Sequence, residues 1–193
     1  ISLVTGLAFR KKFFGSNLLF YTTVASLIVP SILVSLGIGL IFNIMGWEVS
    51  WTTSGLGAHL TWTLPFGFLI MIAVFNRFDK SYEEAARDLG ASNWQTIRHI
   101  VLPIIGPSLI GVALFGFTLS YDEFARTLMT SGVKNTLPLE IFGMTTNVTT
   151  PTLYALGTLT TFFSLFMILT AMGVLFYLRR RQESHGSDAG KGV

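Results

Sequence analysis

Residues 83–103 read EEAARDLGASNWQTIRHIVLP, a polar stretch in an otherwise very apolar chain. The 193 residues are 51% hydrophobic and only 12% charged, whereas a soluble domain has about 25% charged residues. Long uncharged runs flank the stretch on both sides. Uncharged runs of this length are typical of membrane spans, so we interpret the polar stretch as a connection between two spans.

The polar stretch carries the sequence signals of two short helices. Ser81 lies three residues before Glu84, the spacing of a capping box, and two alanines with high helix propensity follow. Gly90 fits the left-handed position that ends a helix. Asn93 is expected to cap the second helix. The loop is thus predicted to form two helices joined at a glycine corner.

Uncharged runs predict four complete spans and one partial span. The run Leu18–Met45 is long enough to cross a bilayer with some tilt. The other complete spans are predicted at 57–76, 101–120 and 152–178, and residues 1–9 have the pattern of the last part of a helix whose start is missing. We expect one all-α, polytopic transmembrane bundle over 1–181, truncated at its N-terminus, and a disordered cytoplasmic tail over 182–193.

Basic residues predict the orientation of the bundle, because Lys and Arg concentrate in cytoplasmic loops. Three segments, 10–17, 77–100 and 179–193, hold most of the 13 basic residues: Arg10, Lys11, Lys12, Arg77, Lys80, Arg87, Arg98, Arg179, Arg180, Arg181 and Lys191. The opposite side holds only Arg126 and Lys134. The polar loop and the C-terminus are therefore expected in the cytoplasm.

The polar loop admits two interpretations from its residues alone. An amphipathic helix that anchors the loop on the membrane would place Lys and Arg on its polar face. This loop begins instead with acids and alanines, which suit docking into a groove of another protein. The residues favour docking only modestly.

A resemblance favours docking more strongly. Glu84-Ala85-Ala86, Gly90 four positions after Ala86, and Ile100-x-Leu102-Pro103 after nine further residues resemble the EAA signature of binding-protein-dependent ABC importer permeases. The resemblance implies a type I ABC importer permease fold in a bacterial inner membrane. It also implies that the loop forms coupling helices that sit in a cleft of a separate ATPase subunit.

The same resemblance implies roles for seven residues of the loop. Glu84, Ala85, Ala86 and Gly90 would form the ATPase contact and its hinge, and Ile100, Leu102 and Pro103 would set how the second helix joins the next span. The implied partners are two ATPase subunits, a second permease and an extracytoplasmic binding protein. The chain has no GxxxxGK[ST] phosphate-binding loop, so ATP would be hydrolysed by another chain and this one would bind no cofactor.

A second group of candidate residues is Tyr121, Asp122, Glu123 and Phe124, at the outer end of a predicted span. Acids so close to hydrocarbon are usually paired or functional. They could pair with Arg126, or they could attract a cationic solute. The surrounding SYDEF, MTSG and TLPLEIF stretches are similar to permeases for spermidine and putrescine, which implies a polyamine held by ion pairs and aromatic faces.

Other functions remain as alternatives. Related permeases carry iron or phosphonates. An ion-coupled secondary transporter would need an acid or a broken helix within a span, and the four predicted spans are uncharged. The chain lacks HExxH and GxSxG, and its three histidines have no metal-ligand spacing, so we expect neither an enzyme nor a metal site.

Overall fold

The computed structural model describes residues 1–147 and 150–188, and over these residues all regular structure is helical. Nine α-helices follow one another in the described residues: α1 (Ser2–Ala8), α2 (Ser16–Ser26), α3 (Ser31–Ile44), α4 (Leu56–Asn76), α5 (Ser81–Asp88), α6 (Asn93–Thr96), α7 (Leu102–Tyr121), α8 (Leu137–Asn147) and α9 (Pro151–Asp188). Two π-helical turns, Trp51–Gly55 and Ile97–Val101, lead directly into α4 and α7.

Three helical runs in the described residues are long and apolar enough to cross a membrane. They are Trp51–Asn76, Asn93–Tyr121 and Pro151–Tyr177. The α2–α3 pair meets the same test together, but the two helices are bent by 104°. The pair forms either a broken span or a re-entrant loop.

The run predicted as one span over 18–45 is therefore bent in the structure, and it counts as a single span only if the two helices cross the membrane together. The chain leaves α2 after Ser26 and enters α3 after Pro30, whose backbone is extended at φ −57° and ψ 131°. Proline lacks an N–H group, and its ring disfavours helical geometry in the residue before it. A uniformly apolar run gives no sign of the angle that results.

Other helix boundaries also differ from the sequence prediction. The α4 run begins at Trp51 rather than at residue 57, and α6 continues through its π turn into α7 as one run. The connection between α7 and α9, called the outer loop below, contains α8, which was not predicted. The last helix extends to Asp188, so the tail expected to be disordered is helical over 182–188, while 189–193 lie outside the described residues.

Helix α4 is the centre of the bundle. Helices α1 and α7 pack along it, α2 and α3 touch it, and α7 also contacts α9. A buried core joins α4 to the start of the α7 run through Met71, Phe75, Val101 and Ile105. This core lies next to the polar loop, so it fixes the loop to the bundle.

Candidate functional site

Helix α5 begins at Ser81 without the predicted capping box. Lys80 is the N-cap residue and its side chain makes no capping hydrogen bond, so the pairing expected between Ser81 and Glu84 is wrong. The Ser81 N–H instead donates to Asp79 Oδ1 at 2.9 Å. This hydrogen bond lowers the pKa of the exposed Asp79 carboxyl.

Gly90 ends α5 in the left-handed conformation that the sequence predicted, with φ at 84°. Its N–H donates to the Arg87 carbonyl at 2.8 Å, and the Ala91 N–H donates to the Ala86 carbonyl at 3.0 Å. These two bonds form the Schellman arrangement that satisfies the last carbonyls of a helix. A Cβ at Gly90 would meet nothing within 4 Å, so the backbone alone favours glycine here.

Helix α6 is capped one residue earlier than predicted. Ser92, not Asn93, is the cap: its Oγ accepts from the Gln95 N–H at 3.4 Å. Gln95 Oε1 accepts in return from the Ser92 N–H at 2.8 Å. The capping box of this loop therefore lies at the second helix.

The outward face of the polar loop combines an acid with large apolar side chains. Glu84 and Ala85 are exposed, and Glu84 forms no ion pair with a described residue. Tyr82 and Trp94 are more than half exposed, and Leu89 is 89% exposed. Sequence reasoning did not single out Tyr82 or Leu89. Large apolar side chains exposed on one short loop mark a surface that another molecule can cover.

The inward face of α5 carries a buried ion pair that sequence reasoning also missed. Arg10 Nη1 donates to Glu83 Oε1 at 2.5 Å. The Arg10 guanidinium lies over the rings of Phe75 and Phe78, 5.2 and 5.3 Å from their centroids. Arg10 follows the end of α1, and Phe75 and Phe78 lie at the end of α4 and just after it, so the pair holds α5 against the ends of both helices. It also places the 10–17 turn and the polar loop at the same end of the bundle.

The remaining signature residues lie where the loop enters the α7 run. Ala86 faces the bundle and is 9% exposed. Ile100 is half-buried, Leu102 packs against the buried core, and Pro103 is exposed. Pro103 is the second residue of α7, directly after the π turn Ile97–Val101.

At the opposite end of the bundle, Arg126 is buried with its side chain 1% exposed. Its Nη1 donates to Ser31 Oγ at 2.6 Å and lies 3.3 Å from Glu123 Oε2. Its guanidinium covers the Trp62 ring at 4.3 Å from the centroid. The pairing considered for Arg126 from the sequence is thus present at Glu123.

Met129 and Thr130, in the loop after α7, lie between α3 and the π turn that precedes α4. The Met129 N–H donates to Ser35 Oγ at 2.9 Å, and Ser54 Oγ donates to the Thr130 carbonyl at 2.8 Å. Gly39 lies against the Met129 carbonyl, 2.8 Å from where a Cβ would be. Arg126 and these contacts together hold the outer loop in place.

Two neighbouring cavities open beside this segment, each about 350 Å³ in volume. Tyr121, Asp122 and Phe124 line the first, together with residues of α8 and Thr160 of α9. Tyr121 and Glu123 line the second with Trp51 and His59. The structure therefore brings all four predicted residues to one region. Asp122 is exposed and has no ion pair among the described residues.

A family model described as "Binding-protein-dependent transport system inner membrane component" matches residues 1–184. The chain belongs to this family. It is 33% identical over 178 residues to the spermidine/putrescine transport system permease protein PotC of Haemophilus influenzae, and 31% identical over 182 residues to the putrescine transport system permease protein PotI of Escherichia coli. These matches cover 92% and 89% of this chain but only 65% and 62% of those proteins.

A solved structure of the MetNI methionine ABC transporter, in an inward-facing form, resembles this chain with a TM-score of 0.67. The match covers 92% of this chain and 86% of that one at 18% identity. The predicted fold class, a helical type I ABC importer permease, is confirmed by this likeness. Among the described residues, no group of three or more His, Cys, Asp or Glu is arranged to hold a metal ion.

Proposed function

We propose that this chain is a permease subunit of an ATP-driven importer and that its polar loop is the contact for the ATPase. The observation that carries this proposal is the outward face of the loop. Glu84, Ala85 and Leu89 are exposed, and Tyr82 is 54% exposed although its ring contacts that of Phe78. A cleft of a partner protein that has a basic side chain for Glu84 and an apolar surface for the other side chains would complement this face.

In this proposal, some signature residues contact the ATPase and the others hold the loop in place on the bundle. Glu84 and Ala85 would touch the ATPase. Ala86 allows α5 to sit close to the bundle, and Gly90 sets the angle between α5 and α6. Ile100, Leu102 and Pro103 lie on the continuous run that leads into α7. Because the run is continuous, a displacement of the loop would also move the α7 span.

The Arg10–Glu83 pair adds a second connection. Because it joins α5 to the end of α1, a movement of α5 would also pull on α1 and α4. The proposed switch between inward-facing and outward-facing states would thus use two attachments. One is the α6–α7 run, and the other is this ion pair.

The proposed assembly contains two ATPase subunits, a second permease and an extracytoplasmic binding protein. ATP would be hydrolysed by the ATPase subunits, and this chain would bind no cofactor. The polar loop and the C-terminus would face the cytoplasm of a bacterial cell, with the Arg126 end facing outward. This orientation follows the distribution of basic residues.

We propose a polyamine as the solute, supported by the spermidine and putrescine named for the relatives. Arg126 already neutralises Glu123, so Asp122 is the carboxylate available to an ammonium group. The Tyr121 and Phe124 rings line the same cavity and can stabilise a cation through their faces. Glu123 would then act chiefly by holding Arg126.

The proposal is tested by uptake into proteoliposomes that contain the full-length permease, its partner permease and its ATPase, with the binding protein added on the outer side. ATP-dependent uptake of labelled spermidine or putrescine is expected. Uptake that needs an ion gradient rather than ATP would instead identify a secondary transporter. ATP-dependent uptake of iron or a phosphonate, without polyamine uptake, would retain the importer and reject the polyamine.

A further inference from the structure

A third cavity lies beside the polar loop, and basic side chains surround it. It has a volume of about 380 Å³ between the end of α1 and helices α5 and α6. Arg10, Lys11, Lys80 and Arg87 line it with one acid, Glu83. We propose that this basic cavity binds the phosphate group of an anionic phospholipid. This site is separate from the solute cavities and from the outward face of α5.

Among the described residues that line the basic cavity, the positive charge is not cancelled. Glu83 is its only acid, and both carboxylate oxygens of Glu83 already face arginines, at 2.5 Å from Arg10 and 3.5 Å from Arg87. Lys11 and Lys80 are exposed and form no ion pair with a described residue. Four bases against one acid leave three positive charges, which an anion would balance.

One of these basic groups also has unused hydrogen-bonding capacity. The Nε atom of Arg10 is buried and has no hydrogen-bond partner among the described residues. Arg87 is 54% exposed, and its contact with Glu83 is long, so its guanidinium can turn toward a ligand. Phosphate oxygens accept several hydrogen bonds from such groups at once.

The position of the basic cavity favours a lipid as the source of the phosphate. It lies where α1 ends and beside the loop that follows the α4 run, so we place it at the level of the lipid headgroups. Leu7 and Ile97 give it an apolar side, which suits the glycerol and first methylenes of a phospholipid. Basic cavities at the cytoplasmic ends of spans are suited to anionic headgroups.

The neighbouring turn supports the same source. Phe14 is fully exposed and Phe13 partly so, directly after Lys11 and Lys12. Adjacent lysines and exposed aromatic rings are typical of chain segments that lie in the membrane interface. An anionic lipid in the basic cavity would bridge this turn and α5.

The test measures lipid retained by the full-length permease after purification from membranes that contain phosphatidylglycerol and phosphatidylethanolamine. Native mass spectrometry would count the bound lipids. The Lys11→Gln/Lys80→Gln variant removes two charges that line the basic cavity, and Lys12→Gln/Arg77→Gln removes two from the same end that do not line it. Affinity for phosphatidylglycerol is expected to fall by roughly fivefold for each cavity lysine removed.

Each outcome decides the proposal. Retention of one phosphatidylglycerol by the wild type and by the control variant, with loss from the cavity variant, supports it. Equal loss from both variants would show general surface attraction and overturn it. Displacement of the lipid by inorganic phosphate alone, or its absence whenever the ATPase is bound, would assign the cavity to a soluble anion or to the ATPase. Both of these results contradict a lipid site, and neither bears on ATP-driven uptake.

Discussion

Arg10 and Glu83 are separated by 73 positions in the sequence, yet their side chains form an ion pair of 2.5 Å. The two side chains are only 14% and 9% exposed. Phe75 and Phe78 cover the guanidinium. A charge left unpaired in such surroundings is strongly unfavourable, so the pair ties α5 to the end of α1.

Replacing Glu83 by Gln should lower the free energy of unfolding by about 3 kcal/mol, because Arg10 keeps its charge and loses its partner. Glu84→Gln is the matched control, since Glu84 is exposed and unpaired among the described residues. Denaturation of the purified permease in detergent measures both variants. The double variant Arg10→Glu/Glu83→Arg keeps two opposite charges at these positions, so it should be more stable than Glu83→Gln. Equal stability of the two glutamine variants would show that the pair contributes little.

Gly90→Ala should cost about 1–2 kcal/mol of stability, because a side chain is strained at φ 84° although space is open around it. Gly106→Ala serves as the control, since Gly106 is helical and equally open. The Gly90 variant should also bind the ATPase more weakly in co-purification. If both alanine variants behave alike, the corner does not depend on the left-handed conformation.

Two glycines on one turn of α3 should respond differently to alanine. A Cβ at Gly39 would lie 2.8 Å from the Met129 carbonyl, so either α3 or the outer loop must shift, and we expect a loss of about 1–3 kcal/mol. A Cβ at Gly37 would meet nothing within 4 Å. Thermal unfolding of the two variants compares them directly. A Gly39→Ala protein as stable as Gly37→Ala would contradict the close contact.

Arg126→Ala should destabilise the permease by about 3 kcal/mol, because Glu123 is left without its counter-ion and Ser31 without its donor. Lys134→Ala removes a basic residue from the same loop at an exposed position and should have little effect. Chemical denaturation measures both. A small effect at Arg126 would mean that the outer loop is held by its other contacts.

Asp122→Asn and Glu123→Gln should separate solute binding from structure. Asp122 has no ion pair among the described residues, so its neutralisation should raise the KM for polyamine uptake by roughly tenfold with little loss of stability. Glu123→Gln should instead lower stability, because it leaves Arg126 unpaired. Uptake kinetics and unfolding of both variants test this division. The reverse pattern would assign the solute contact to Glu123.

Local sequence patterns were sufficient for much of the fold. Uncharged runs located the membrane helices, and the spacing around Gly90 predicted two short helices and a left-handed corner. These features depend on neighbouring residues, so a sequence shows them directly. The capping residue was displaced because Ser92 and Asn93 are both good caps, and only the reciprocal bond with Gln95 distinguishes them.

The features that sequence reasoning missed depend on distant partners. The pairing of Arg126 with Glu123 was considered from the sequence, but its burial, which also depends on Ser31 and Trp62, was not. The inward turn of Glu83 likewise depends on Arg10. Pro30 marks in the sequence where α3 begins, but the angle of 104° between α2 and α3 is not encoded in a uniformly apolar run.

Co-purification of the full-length permease with its co-expressed ATPase tests the central claim most directly. The wild type should retain the ATPase, whereas Glu84→Lys and Gly90→Pro should lose it or hydrolyse ATP without transport. Lys134→Glu is a useful control, because Lys134 is exposed in the loop at the opposite end of the bundle. Failure of the wild-type permease to retain any ATPase would contradict the importer account.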